Sequence, residues 1–157
     1  MSSVPLATLS PYEKVKAYVA LTKPRIIELL LVTTVPTMFM AERGWPELGL
    51  VIATLVGGSL AAGGANAFNM VIDRDIDARM ARTQKRVLVT GDMSPKAALA
   101  HGFVLGVAGF ATLAIWTNML ALACAAFGFV IYVGVYSLYM KRKSVYGTLV
   151  GSLSGAV

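Results

Sequence analysis

The sequence predicts an all-α integral membrane protein, with four complete transmembrane helices and part of a fifth. Three observations predict it. The 157 residues are 57% hydrophobic and only 14% charged, against roughly 25% charged in soluble domains. The mean hydropathy is +0.70, more apolar surface than a small soluble domain can hide, because small domains keep a large share of their surface in water. The apolar residues also fall into runs near the ~20 residues that cross a bilayer. This composition excludes an ordinary cytosolic enzyme, a disordered chain and a nucleic-acid partner, in spite of a pI of about 9.7. One cysteine, Cys124, excludes a disulfide framework and a Cys-rich metal site.

The elements follow in order. Residues 1–22 lack the apolar core and cleavage pattern of a signal peptide. Pro11 to Leu21 mixes Tyr12, Val15, Tyr18, Val19 and Leu21 with Lys14 and Lys16, which reads as a short amphipathic helix on the membrane surface or a solvated helix. Four apolar runs come next, at about Ile26–Ala41, Leu48–Ile72, Ala97–Trp116 and Met119–Met140. Backbone groups in lipid must be satisfied within the segment, so the runs are helices. Ser144 to Val157 is a further Gly/Ser-rich apolar run of 14 residues. It reaches only ~21 Å at 1.5 Å per residue, so the chain is expected to stop inside a fifth helix and to be the front part of a longer protein. Residues 1–157 are then one transmembrane domain, incomplete at its C-terminus.

The charges predict the topology. Thirteen of the fourteen Lys and Arg residues precede the first run, lie between the second and third, or follow the fourth; only Arg43 lies on the other side. The positive-inside rule places residues 1–25 and the 73–96 loop in the cytoplasm; the expected location is the cell (inner) membrane, as a multi-pass protein. Small residues at helix-packing spacing, Gly102 with Gly106 and the crowd from Gly57 to Ala65, predict close backbone approach.

Chemistry concentrates in residues 66–86. Asn69, Asp73 and Asp77 recur every four residues. On a helix they drift by only ~40° per step and line one stripe about 12 Å long. An amide and two carboxylates offer hard oxygens, which suit Mg²⁺ held by one or two carboxylates plus substrate phosphates. Arg79, Arg82, Lys85 and Arg86 follow within nine residues, and cations beside a carboxylate-bound metal are what a diphosphate requires. The plainer alternatives are a solvated helix end, with the aspartates paired to Arg74, Arg79 and Arg82, and basic residues placed by the positive-inside rule alone. Lys23 and Arg25 sit at the mouth of the first run, where they face the diphosphate or anchor the helix. Glu28, a turn inside lipid, must pair or face a cavity. His101, the only histidine, reads as a packing or interfacial residue sooner than a ligand. Tyr132, Tyr136 and Tyr139 read first as an aromatic belt, with Tyr139 able to border the cavity.

The segments LTKPRIIELLLVTTVPTMFMA at 21–41, AAGGANAFNMVIDRDID at 61–77 and RTQKRVLVTG at 82–91 resemble the membrane-embedded prenyltransferase superfamily that includes the ubiquinone-pathway enzymes. The NxxxDxxxD pattern marks the superfamily; the LTKPR opening, the AAGGAN approach and the RT-x-x-R tail resemble its heme-modifying branch. Val87 stands where members usually carry proline, and Gly147 where they carry asparagine.

The resemblance implies the N-terminal half of a multi-helix prenyltransferase bundle, with a second aspartate-rich motif beyond Val157. It implies Asn69, Asp73 and Asp77 as Mg²⁺ ligands and catalytic residues. Arg82, Lys85 and Arg86, with Lys23 and Arg25, would hold the diphosphate, and Glu28 and Tyr139 would border the acceptor. The implied reaction moves a farnesyl group from farnesyl diphosphate to a vinyl group of heme B, with addition of water, to give heme O. Heme is a substrate there, not a cofactor, and the 157 residues alone are expected to be inactive. Two alternatives stay open: an aromatic or chlorin acceptor within the same superfamily, and a small transporter or interaction subunit.

Overall fold

The computed structural model describes residues 10–143 and 146–156. Residues 1–9 of the expected cytoplasmic segment, and residues 144, 145 and 157 of the expected fifth run, lie outside the described residues.

Helix α1 spans Pro11–Thr22. Ser10 starts it with a capping box: its hydroxyl accepts from the Glu13 N–H, and the Glu13 carboxylate accepts from the Ser10 N–H, so two otherwise unpaired amides are satisfied. Lys23 ends the helix in the left-handed region, φ 52°, and Pro24 begins α2, Pro24–Glu42. Proline fits a first helical position because its missing N–H has no partner to lose. The chain therefore turns a corner on one residue, and that residue is a lysine of the expected site.

Helix α3 spans Leu48–Ile72 and the four-residue α4 spans Arg74–Asp77. In the 73–96 loop α5 covers Val87–Thr90; Val87 takes its first helical position, which also suits proline. Helix α6 runs Pro95–Trp116 from a Ser94 cap, and α7 runs Met119–Val130 from an Asn118 cap. Beyond Val130 the fourth run departs from a plain α-helix. Ile131–Met140 is π-helical, and α8, Lys141–Lys143, closes the rod. Helix α9 spans Gly147–Ala156.

Four helical segments are long and apolar enough to cross a membrane: Pro24–Glu42, Leu48–Ile72, Pro95–Trp116 and Met119–Lys143. They match the four expected runs to within a few residues, and this is the architecture of a multi-pass membrane protein. The ten residues of α9 reach about 15 Å, part of a crossing.

The closest packing joins α3 to α6. A Cβ at Gly64 would fall 2.7 Å from the Gly102 carbonyl oxygen and 2.8 Å from the Gly106 nitrogen. One at Gly109 would fall 2.5 Å from the Ala61 nitrogen. Only glycine lets the two backbones meet there, as the small-residue spacing predicted. The buried apolar cluster sits at one end of this pair. Ala17 and Leu21 of α1 pack with Ala67 and Met70 of α3, Leu88 of α5, Met93 just before α6, and Ala98 in its first turn. It fastens α1 and the 73–96 loop over the end of α3 that carries the polar residues.

Candidate active site

The stripe survives a break in its helix. Asp73 has φ −86° and ψ 0°, which ends α3. Yet the Asp73 N–H still donates to the Asn69 carbonyl at 2.9 Å, and the Asp77 N–H to the Asp73 carbonyl at 2.8 Å. These two i→i−4 bonds carry the register of four across the break. All three side chains are buried, with Asn69 2%, Asp73 0% and Asp77 3% exposed.

Buried carboxylates need partners, because desolvating an unpaired charge costs several kcal/mol. Each member of the stripe has one, and each comes from a different element. Lys23, at the α1–α2 corner, donates to Asn69 Oδ1 at 2.7 Å. Lys141, at the end of the fourth span, donates to Asp73 Oδ2 at 2.5 Å. Arg86, in the loop, pairs with Asp77. Asn69 Nδ2 bridges along the stripe to Asp73 Oδ2 at 2.8 Å and outward to Ser137 Oγ at 3.0 Å. The Ser137 hydroxyl donates to the Tyr132 carbonyl at 2.7 Å, five residues back, the spacing of the π-helical stretch. Burial, followed by the Arg86 guanidinium nearby, pushes the Lys23 ammonium down to about 8, although Asp73 opposes the shift.

One oxygen is left over. Asp73 Oδ1 is buried and has no hydrogen-bond partner, an expensive condition for a carboxylate. A hard cation is the ligand such an oxygen suits. Among the described residues no three His, Cys, Asp or Glu side chains converge. That leaves the mode in which one or two carboxylates hold Mg²⁺ and water and phosphate oxygens complete the shell. The residues fit that mode.

The loop is built onto the stripe. The buried Thr83 hydroxyl donates to the Asp77 carbonyl at 2.9 Å, and Arg74 Nε donates to the Leu88 carbonyl at 2.9 Å. Arg74, Arg79 and Arg82, expected on the plainer reading to neutralise the aspartates, are exposed, and Lys141 and Arg86 take the two buried carboxylates instead. Asp75 is exposed and pairs with Arg142, whose hydrogen bonds hold the Asp75 carboxyl below its usual range.

The other expected residues divide. Lys23 and Arg86 reach the stripe. Arg82 and Lys85 lie exposed on the loop, and Arg25 and Glu28 lie exposed on α2. Tyr139 is exposed with Lys143 Nζ 4.8 Å from its ring centre. His101 packs against the Tyr18 ring at 4.9 Å. Sequence reasoning missed Lys141 and Ser137. Their one available signal was that residues 137 and 141 share a face at the polar end of a span.

Beneath the stripe lies an apolar cavity of about 550 Å³ between α2, α3, α6, α7 and α9. Ile27, Leu30, Leu55, Ala62 and Phe129 line it, and Asn66 and Tyr132 line it as well. The Tyr132 hydroxyl donates to Asn66 Oδ1 at 3.3 Å, and Asn66 Nδ2 donates to the Thr22 carbonyl at 2.9 Å. Asn66 lies one turn before Asn69 on α3, so the polar stripe and the apolar cavity adjoin.

The chain is similar in sequence to known proteins. The chain is 62% identical over 144 residues to "Protoheme IX farnesyltransferase 2" of Chromobacterium violaceum, covering 92% of this chain and 48% of that protein. It is 56% identical over 142 residues to "Protoheme IX farnesyltransferase" of Marinomonas sp., covering 90% and 48%. It is 48% identical over 156 residues to the protein of that name from Clavibacter michiganensis, covering 99% and 51%. The chain thus spans about half the length of the curated relatives it matches. No solved structure matches it significantly. Residues 30–157 match the UbiA prenyltransferase family, and with the stripe, the cavity and the four spans already in place, the chain belongs to that family.

Proposed function

We propose that the protein carrying this chain transfers a farnesyl group from farnesyl diphosphate to heme B, giving heme O, and that these residues build its first metal and diphosphate site. The observation that carries the reading is a buried, cation-bordered carboxylate stripe at the mouth of an apolar cavity. The heme acceptor is the one that the relatives' names specify.

Asp73 and Asp77, with Asn69 beside them, would hold Mg²⁺, and Asp73 Oδ1 is an acceptor already without a partner. Mg²⁺ held there would supply positive charge for the diphosphate as it leaves. Lys23, Arg86 and Lys141 border the stripe and meet phosphate oxygens, where preorganised cations stabilise developing negative charge. Arg82 and Lys85 extend the cationic rim along the loop, and Arg25 extends it along α2. The cavity takes the apolar chain, and its volume falls within the usual range for ligand pockets. Water enters in the step that completes the hydroxylated product. Glu28 and Tyr139 are assigned to the acceptor side, where both are exposed. The bias of basic residues supports a cytoplasmic side for the stripe and the N-terminal segment, in the cell membrane.

The test is heme O formation by the intact protein in membranes supplied with farnesyl diphosphate, Mg²⁺ and heme B. Asp73→Ala combined with Asp77→Ala is expected to reduce turnover to background. Full activity in that variant overturns the reading, and preference for an aromatic or chlorin acceptor over heme overturns the acceptor assignment.

A further inference from the structure

The reaction reading leaves the contact between Asp75 and Arg142 without a role. Asp75 is the middle acid of the cluster, and its side chain is 56% exposed. Arg142 grips both of its oxygens, Nη1 to Oδ2 at 2.8 Å and Nη2 to Oδ1 at 2.6 Å. The same Nη2 donates to the Ile72 carbonyl at 2.6 Å. Ile72 is the last residue of α3, where carbonyls have lost their partners within the helix. The chain then bends at Asp73 into α4, which has four residues and is too short to hold itself.

One guanidinium therefore ties the residue before the bend to the residue two beyond it. The neighbouring Lys141 takes Asp73 at the bend itself. On the other side, Thr83 and Arg86 hold Asp77. Helix α4 is braced from both sides, by the loop and by the end of the fourth span.

We propose that Arg142 is a positioning residue for the stripe: by joining Ile72 to Asp75 it sets the angle between α3 and α4, and so the placement of Asp77 relative to Asp73. An exposed ion pair adds little stability by itself. A two-pronged guanidinium contact nevertheless fixes orientation in a way that a single ammonium does not. The inference rests on the proposed metal site.

The experiment measures Mn²⁺ binding by electron paramagnetic resonance to the intact protein in lipid nanodiscs, with Tm recorded for each variant. Arg142→Gln is expected to weaken Mn²⁺ binding about tenfold, the lower end of the effect of outer-shell partners at metal sites. Asp75→Asn is expected to shift it in the same direction. Arg142→Lys, which keeps the charge but not the two-pronged grip, is expected to show at least half of the loss. Asp73→Ala with Asp77→Ala is expected to abolish binding. Binding lost in that double variant but within twofold of the parent in Arg142→Gln and Asp75→Asn overturns the positioning role and leaves the metal site standing. The same holds if Tm falls while Mn²⁺ affinity does not, or if Arg142→Lys restores affinity fully. Mn²⁺ binding unchanged in the aspartate double variant overturns the metal site and this inference with it.

Discussion

Two of the apolar neighbours of helix α3, α6 and α2, are treated differently. Against α6 it presents Gly57, Gly64 and Ala61, and the backbones close until a single Cβ would collide with main-chain atoms. Against α2 it packs more loosely. Helix α2 has no buried residue, and the space between the two is part of the cavity wall. Both neighbours are apolar 19- to 22-residue helices, so hydropathy alone does not choose between them. In lipid there is little hydrophobic drive for one helix to pack on another, and small residues that admit close contact decide the partner. One face of α3 is therefore close-packed scaffold and the other borders the cavity.

Four substitutions would break or sharpen that contrast. The largest effect is expected from Gly109→Leu. It forces side-chain atoms into the Ala61 backbone and should cost at least ~3 kcal/mol, the upper end of overpacking penalties. It should be read as loss of folded protein in detergent. A well-folded variant with the parent's Tm would show that the α3–α6 contact is not what holds the bundle. An intermediate effect is expected from Leu30→Trp on the cavity wall of α2. Stability should change by less than ~1 kcal/mol, while use of farnesyl over geranyl diphosphate falls about tenfold, a typical size for discrimination by chain length in an apolar pocket. A large drop in Tm with unchanged donor preference would make α2 scaffold rather than wall. The smallest effect lies within one pair of neighbours. A Cβ at Gly58 meets nothing within 4 Å, whereas one at Gly57 falls 2.8 Å from Leu113 Cγ. Gly58→Ala should stabilise by up to ~1 kcal/mol through helix propensity, and Gly57→Ala should destabilise. Equal signs in thermal unfolding would erase the distinction between the two faces.

Much of the site could be read before any fold was known, because its signals are local. The period of four in Asn69, Asp73 and Asp77 is a property of one helix, and it held even though α3 breaks at Asp73. The basic loop was legible for the same reason, and Arg86 did reach Asp77. The choice among cations was not legible. Arg74, Arg79 and Arg82 are nearer to the aspartates in sequence, yet Lys141 holds Asp73 from 68 residues away. Lys23 reaches Asn69 across 46 residues because a left-handed corner turns it inward. The π-helical stretch that sets Ser137 beside Asn69 also left no mark in the hydropathy of Met119–Met140.

By itself the sequence determined the four spans, their small-residue contact faces and the stripe of hard oxygens, because each follows from hydropathy or helical period over a few turns. Tertiary structure alone decided which cation meets which carboxylate, which side of α3 is cavity, and that Asp73 keeps one oxygen without a partner. These depend on how helices distant in the chain come to lie side by side, and in lipid that is set by close packing and polar pairing rather than by apolarity.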